Sequence, residues 1–217
     1  PNLDQLKPSM ERIIYAVKNG IGVMQAWEGI LTSEEMSRLK TVNISLGLML
    51  ENSSARLRQR GQAHHRAPDK EPSCRLRMLK EAGELNIPFT TGILIGIGET
   101  RLERIQSLQD IASIHRRYGH IQEVIVQNFR SHPQTVMATF PEPSDAEIAD
   151  AIALARVILP PEISVQTPPN LNPETTARFL HYGINDLGGI SPLTPDYINP
   201  NHSWPHLQEL SELCVNA

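Results

Sequence analysis

A carboxylate and a glycine-rich segment each come directly after a short apolar run of the chain. Glu51 follows the run 42–50, and the segment Gly92–Glu99 ends the run that begins at Ile87. A carboxylate in this place accepts hydrogen bonds from hydroxyl or ammonium groups of a ligand. Glycines let a ligand approach the backbone, and free N–H groups at a helix start favour an acceptor. Without a ligand, Glu51 would be a solvated loop acid and the glycines would form a turn.

The glycine segment departs from the two common phosphate-binding patterns. A G-x-G-x-x-G pattern that starts at Gly96 has Arg101 where its third glycine belongs, and no Gly-Lys-Ser or Gly-Lys-Thr occurs in the chain. Both patterns need these residues to hold phosphate groups against the backbone. The sequence therefore gives no support for a nucleotide-phosphate loop.

Polar side chains also follow the later apolar runs. They lie at the end of the run 121–128 and in two Pro-, Gly- and Asn-rich segments, 168–171 and 186–192. Each could belong to a binding site or to a tight turn. The candidates are Asn128, Arg130, Asn170, Asp186 and Ser191.

The segment 56–77 is basic, and one or two of its arginines could bind a carboxylate in a bidentate manner. Spacing alone does not select which. The adjacent His64 and His65 diverge on regular structure. Cys74 and Cys214 lie far apart in sequence and cannot form a C-x-x-C site, so we expect no metal site in this chain.

Five apolar runs rich in β-branched residues predict buried parallel strands. They are 42–50, 87–97, 121–128, 163–167 and a weaker run at 183–187. The first forty residues are predicted to be mostly helical, with a helix over about 8–19. Three S/T-x-x-E capping boxes predict helix starts at Thr32, Thr100 and Ser144, and Asn172 before a proline predicts another.

Alternating strands and helices predict an α/β fold with a mostly parallel sheet. A complete eight-unit TIM-type barrel takes about 250 residues, whereas this chain has 217. We therefore expect a partial (β/α) barrel that lacks its first units, as a single domain over residues 1–217. A doubly wound open sheet is the alternative. In both, ligands meet the carboxyl ends of the strands.

The composition limits the partners of the chain. Apolar residues make up 40%, charged residues 20%, and the net charge is −4. This balance argues against nucleic acid as a main partner, because phosphate binding needs a basic face. No apolar run reaches the length of a membrane helix, and no signal peptide is visible. We therefore expect a cytoplasmic globular protein with a small-molecule ligand.

Several long segments resemble the radical S-adenosylmethionine (SAM) subunit of the deazaflavin synthases. The resemblance extends from about Leu31 to Leu213. The strongest segments are IPFTTGILIGIGET, HIQEVIVQNFR, QTPPNL and DLGGISPLTPDYINP, and SLGLMLEN and HHRAPDK are also similar. Their number and order make the resemblance specific.

The resemblance implies a barrel that holds SAM and a 4Fe-4S cluster. Reductive cleavage of SAM would give a 5′-deoxyadenosyl radical, which abstracts hydrogen from a hydroxybenzyl-ribitylaminouracil adduct made by a companion radical SAM subunit. Oxidative cyclisation with loss of ammonia would then close the ring of 7,8-didemethyl-8-hydroxy-5-deazariboflavin, making the full-length protein a lyase. The cofactor carries the difficult chemistry, and the protein orients it and excludes water.

The resemblance also implies roles for individual residues. A G-x-I-x-G-x-x-E pattern of related enzymes has Leu94 in place of its isoleucine, and Leu94 would pack on the adenine. Glu51 would bind the ribose or amino group of SAM, and Arg75 its carboxylate. The substrate side would hold Asn128, Arg130, Asn170, Asp186 and Ser191. The pattern falls on Gly92, Leu94, Gly96 and Glu99.

One departure from the family is severe. The C-x3-C-x2-C motif that binds the cluster is absent, and the two cysteines of this chain cannot replace it. We therefore expect the chain as given to be an inactive fragment of the enzyme. A truncated, non-catalytic homologue that binds an adenosyl or flavin-like ligand, or the companion subunit, is the alternative. An unrelated barrel lyase or aldolase is disfavoured, because no predicted strand ends in a lysine.

Overall fold

The computed structural model of this protein describes residues 25–27, 29–190 and 195–216. The helix expected over about 8–19 and the candidate Ser191 lie outside the described residues. The elements, in chain order, are β1 Gln25–Trp27, α1 Ser33–Lys40, β2 Ser45–Gly47, α2 Pro72–Glu84, β3 Phe89–Ile95, α3 Arg101–Tyr118, β4 Ile121–Asn128, α4 Asp145–Ile158, β5 Ser164–Gln166, α5 Thr176–Leu180 and α6 Leu207–Asn216.

Capping boxes start α1, α3 and α4, as the sequence predicts. In each box the N-cap hydroxyl accepts a hydrogen bond from the backbone of the glutamate three residues later. That glutamate in turn accepts from the N-cap N–H. These contacts satisfy backbone donors that have no partner within the helix. The pairs are Thr32–Glu35, Thr100–Glu103 and Ser144–Glu147.

The helix start predicted at Asn172 is wrong. Helix α5 begins at Thr176, and Asn172 instead follows a 3₁₀ turn, Pro169–Leu171. The Asn172 side chain does not cap the helix, because its Nδ2 donates to Asn128 Oδ1 at 2.8 Å and to the Pro168 carbonyl at 2.9 Å. A long-range side-chain contact thus replaces the local one.

The strand predicted at 183–187 is also wrong. Of these residues Asp186 alone pairs, in a single parallel bridge to Gln166. Gly183 has a φ of +114°, and the Asp186 carboxylate accepts from the Gly188 N–H at 2.7 Å. The chain therefore turns on both sides of the bridge. The described sheet still has five strands, because β1 forms in a segment that was predicted to be mostly helical.

The five strands of the described sheet are parallel and lie in the chain order β1-β2-β3-β4-β5. A doubly wound sheet reverses its strand order at a switch point. The described sheet has no reversal, so each unit adds to the same edge as the one before it. The structure therefore confirms the expected partial barrel and not the open alternative.

One face of the sheet packs against the helices, and the other face lines a cavity. Val124 and Val126 of β4 belong to the apolar core that α2, α3 and α4 cover, together with the stripe Ile148, Ile152 and Ala155 of α4. Glu123, Ile125 and Gln127 alternate with these valines and line a cavity on the opposite, inner face. The core thus fixes which side chains of β4 reach that cavity.

None of the helices in the described part of the chain is long and apolar enough to cross a bilayer.

Removing part of Ile152 should test how far this core holds the sheet. Ile152 is fully buried, so we expect Ile152→Ala to lower the free energy of unfolding by about 3 kcal/mol and Ile152→Val by about 1 kcal/mol. Urea unfolding followed by circular dichroism measures both. Val157 on the same helix is 83% exposed, so Val157→Ala should change the value by less than about 0.5 kcal/mol. Equal losses at the two positions would contradict the assigned faces.

Candidate active site

The inner cavity lies over β4 and β5, and the register of β4 with β3 fixes which side chains of β4 line it. Leu94 pairs with Gln127, and Gly92 pairs with Ile125. A Cβ on Gly92 would lie 2.4 Å from the Ile125 carbonyl oxygen and 2.7 Å from the Met49 Sδ. The sheet's own packing therefore requires glycine here. The cavity has a volume of about 330 Å³, in the range of small-molecule sites.

Glu51 extends the sheet beyond the end of β2. Its N–H donates to the Gly92 carbonyl at 2.9 Å, and its own carbonyl accepts from the Leu94 N–H at 2.9 Å. Its φ is +62°, a left-handed conformation that is uncommon for a residue with a side chain. These backbone contacts hold the Glu51 carboxylate at the carboxyl end of the sheet. The position of this candidate residue is thus fixed by its backbone hydrogen bonds to β3.

Three basic side chains surround the Glu51 carboxylate. His64 Nε2 lies 3.0 Å from Oε2, Lys70 Nζ donates to Oε1, and Arg75 Nη1 lies 3.8 Å from Oε1. Burial by itself raises the pKa of Glu51, but the hydrogen bonds from His64 and Lys70 and the charges of Lys70 and Arg75 outweigh it. They hold the pKa at about 2. Glu51 is therefore a charged acceptor at neutral pH.

Arg75 lies on α2 and is buried beside Glu51, with 4% of its surface exposed. Its Nε donates to the Asp69 carbonyl at 2.9 Å, and its Nη1 donates to the Met49 carbonyl. The structure thus brings Arg75 and Glu51 together, as expected of a shared site. The Arg75 guanidinium already donates to acceptors of the protein. Lys70 is more accessible to solvent, because its side chain is 28% exposed.

Glu99 holds the turn after β3. Its Oε1 accepts from the Gly96 N–H at 2.9 Å, and its Oε2 accepts from the Ile97 N–H at 2.8 Å. Arg104 Nε donates to Oε1 at 2.7 Å, and the Glu99 side chain is fully buried. Gly96 has a φ of +86°, which favours glycine. Glu99 therefore shapes the glycine turn from within.

The candidates Asn128 and Asn170 lie at the carboxyl ends of β4 and β5 and are buried. Asn128 Oδ1 accepts from Asn172, and Asn170 Nδ2 donates to Asp196 Oδ2 at 2.9 Å. Asn128 Nδ2 and Asn170 Oδ1 have no hydrogen-bond partner. A buried amide atom without a partner is costly, so these ends of the sheet retain unused capacity for polar contacts.

The remaining substrate candidates are placed in two different surroundings. Arg130 pairs with Glu142 Oε2 at 2.7 Å, and its Nη2 donates to the Leu171 carbonyl. Asp186 bridges to β5 beside Glu123. The candidate site residues predicted from the sequence did not include Glu123, Gln166, His64 or Lys70. The acid within the otherwise apolar strand IQEVIVQN and the basic segment HHRAPDK were the available signals.

The described residues do not fit an iron–sulfur cluster. They contain no group of three His, Cys, Asp or Glu side chains that could hold a metal ion. Cys74 is half-buried and Cys214 is exposed, and both are free. A 4Fe-4S cluster needs clustered thiolates, which the described residues do not supply.

Two solved structures share this fold. The FeFe-hydrogenase maturase HydG from Carboxydothermus hydrogenoformans has a TM-score of 0.68 at 19% identity, over 98% of this chain and 51% of that one. Methylornithine synthase (PylB) has a TM-score of 0.68 at 16% identity, over 97% of this chain and 62% of that one. No protein-family model matches the chain. The likenesses define the class as a barrel-type α/β fold with a parallel sheet.

Curated relatives specify the family within this class. The 7,8-didemethyl-8-hydroxy-5-deazariboflavin synthase of Methanococcus maripaludis (strain S2) is 56% identical over 183 residues, which are 84% of this chain and 55% of the relative. Those of Methanopyrus kandleri and Methanocaldococcus jannaschii are 52% and 53% identical over 85% of this chain. The resemblance found in the sequence is confirmed, and over 84% of its length the chain is similar to a deazaflavin synthase. The chain spans about half the length of the curated relatives it matches.

Neutralising Glu51 should remove the anion that pairs with His64, Lys70 and Arg75. We expect Glu51→Gln to lower the free energy of unfolding by about 3 kcal/mol at pH 7. Because the pKa of Glu51 is lowered to about 2 in the folded state, its contribution is complete above about pH 4.5. The contribution is lost as the pH falls from there through 2. The difference between the two proteins should therefore shrink over that range in urea unfolding.

Glu81→Gln is the matched control. Glu81 lies on α2, where its Oε1 is 3.6 Å from Nε of the exposed Arg77. An exposed pair contributes little, so we expect a change below about 0.5 kcal/mol with no such pH dependence. A difference at Glu51 that stays constant down to pH 3 would contradict the assigned pairing.

Proposed function

We propose that this chain forms the SAM- and substrate-binding part of a deazaflavin synthase, a radical SAM lyase of deazaflavin biosynthesis. The observation that carries the proposal is the 56% identity to such a synthase over 84% of this chain. The substrate would be the hydroxybenzyl-ribitylaminouracil adduct, and the companion radical SAM subunit would supply it. We expect the protein to act in the cytoplasm.

The chemistry of the side chains around Glu51 fits SAM. Its amino acid part carries an ammonium and a carboxylate, and its ribose carries two hydroxyls. Glu51 is a charged acceptor for the ammonium or the hydroxyls, and Lys70, whose side chain is partly exposed, offers a cation to the carboxylate. Arg75 would act with Lys70 in this role. When bound, SAM supplies the hydrogen-abstracting chemistry of the reaction.

The glycine turn would complete the SAM site. Leu94 is half-buried on the inner face, where it would cover the adenine. Gly96 lets the backbone turn tightly against Pro143, and Glu99 fixes the turn through the Gly96 and Ile97 N–H groups. Gly92 has no side chain that would collide with Met49 or the Ile125 carbonyl oxygen. These residues bind and orient the cofactor and take no proton from the substrate.

The substrate would lie on the β4 and β5 side of the same face. Asn128 and Asn170 offer amide atoms without partners, and Arg130 and Asp186 border the same end of the sheet. Ser191, outside the described residues, stays a candidate for this side. Amides and a carboxyl suit the carbonyl and N–H groups of a uracil ring and the hydroxyls of its ribityl chain. This arrangement would orient the adduct for cyclisation and exclude water.

A chimaera tests the proposal directly. This chain should replace the matching 183-residue region of the Methanococcus maripaludis relative. With the companion subunit, SAM and a reductant under anaerobic conditions, we expect the chimaera to form the fluorescent deazaflavin. The 217-residue chain alone should release no 5′-deoxyadenosine. A folded chimaera that cleaves SAM and forms no deazaflavin would contradict the substrate. Binding of SAM or the adduct without any turnover would favour the non-catalytic homologue.

Shortening Leu94 should weaken SAM binding specifically. Loss of the apolar contact with the adenine costs about 1.5 kcal/mol, so Leu94→Ala should raise the Kd of SAM by about tenfold. Isothermal titration calorimetry on the chimaera measures the change. Leu102 is 76% exposed on α3, so Leu102→Ala should leave the Kd within about twofold. Equal Kd values for the two variants would remove Leu94 from the site.

A further inference from the structure

His64 is the buried histidine of the basic segment, and the proposed function gives it no role. It is 6% exposed, whereas the adjacent His65 is exposed. Its N–H donates to the carbonyl of the fully buried Leu57 at 2.9 Å, and its own carbonyl accepts from the Ala67 N–H at 3.2 Å. These contacts hold the loop so that the imidazole Nε2 lies 3.0 Å from Glu51 Oε2.

The basic side chains divide the two oxygens of the Glu51 carboxylate between them. Lys70 Nζ donates to Oε1, and Arg75 Nη1 lies 3.8 Å from the same oxygen. Among the described residues, His64 is the single partner of Oε2. A carboxylate oxygen has about two acceptor sites, so Oε2 keeps one of them free. A hydrogen-bond donor of a ligand would therefore meet Glu51 at Oε2.

The backbone of Glu51 does not fix the direction of its carboxylate. Its hydrogen bonds to β3 hold the main chain in place. The last side-chain torsion of a glutamate is broad, so its two oxygens can turn. Lys70 and Arg75 both attract the carboxylate from the Oε1 side, and a turn would bring Oε2 toward them as well. The contact with His64 opposes this turn.

An imidazole is chemically suited to this contact. A ring nitrogen that hydrogen-bonds to a carboxylate is the donor, and Nε2 can carry its hydrogen in the neutral ring as well as in the protonated one. Because the pKa of Glu51 is held at about 2, this hydrogen stays on the ring and the carboxylate keeps its charge. His64 can thus direct Glu51 without neutralising it.

We propose that His64 is a positioning residue for SAM, whose Nε2–H holds Glu51 Oε2 in the direction in which this oxygen accepts a hydrogen bond from the cofactor. The inference rests on the proposed function for the identity of the ligand. His64 acts through Glu51 and touches no reacting atom. Without it, the carboxylate stays charged but turns toward Lys70 and Arg75, and the free acceptor site of Oε2 is no longer presented to SAM.

Two amide variants of His64 that differ in reach test this role. The amide nitrogen of glutamine extends about as far as Nε2 of histidine, and that of asparagine about as far as Nδ1. In isothermal titration calorimetry on the chimaera, His64→Asn should raise the Kd of SAM about tenfold, and His64→Gln should keep it within about threefold. The exposed neighbour gives the matched control, since His65→Asn should leave the Kd within about twofold.

A double-mutant cycle tests whether His64 acts through Glu51. Glu51→Gln removes the charged acceptor and should itself weaken SAM binding. If His64 only directs this carboxylate, adding His64→Asn to Glu51→Gln should change the Kd by less than about twofold. A role in packing the loop would instead add the same loss in both backgrounds. At saturating SAM, kcat of His64→Asn should stay within about threefold, because the loss lies in binding.

An unchanged Kd in His64→Asn, no rescue by His64→Gln, or full additivity with Glu51→Gln would each overturn the inference. Circular dichroism checks that each variant is folded, and His64→Ala takes the place of His64→Asn if the latter is not. A chimaera that binds no SAM would overturn the inference together with the proposed SAM site. Failure of the proposed reaction has a different sign, since the chimaera would then form no deazaflavin while the effects of His64 on the Kd of SAM persisted.

Discussion

The parallel pairing of β3 with β4 is the constraint on which the rest of the molecule depends. The two strands pair along their full lengths, from Phe89 with Ile121 to Ile95 with Asn128, after one register shift between Phe89 and Thr90. That shift sets which side chains of β4 lie opposite which of β3. The outward valines of β4 are buried under helices, and a slip by one residue would expose them, so the register is strongly specified.

The same register distributes charge over the inner face. Its cationic side lies where β2 ends, because Glu51 joins the ladder beside β3 and draws Lys70 and Arg75 to it. Its acidic side lies deeper, at Glu123 and Asp186. Basic and acidic side chains thus lie at different heights of one sheet. The pairing of the strands therefore determines where the basic and the acidic side chains lie.

The sequence predicted the features whose cause is local. Capping boxes depend on four consecutive residues, and the strands at β3 and β4 depend on long apolar runs, so both were predicted correctly. The sheet order, and the nearness of Glu51 and Arg75, followed from the α/β alternation and the resemblance. The errors have a different cause. Asn172 caps no helix because Asn128, 44 residues away, takes its side chain, and 183–187 forms a single bridge because turns flank it. Neither the Asn128–Asn172 hydrogen bond nor these turns could be predicted from the local sequence pattern.

Glu123 shows why part of the site could not be predicted. In sequence it is an acid within an apolar strand, which suggests an exposed position or an edge. Its true environment depends on Asp186, which approaches through a single bridge that no pattern in the sequence indicates. Thr90 Oγ1 donates to Glu123 Oε2 at 3.0 Å, and this hydrogen bond offsets part of the cost of burying the carboxyl group. Thr90 lies 33 residues away and reaches Glu123 only through the register of β3 with β4, so no local pattern could reveal the contact.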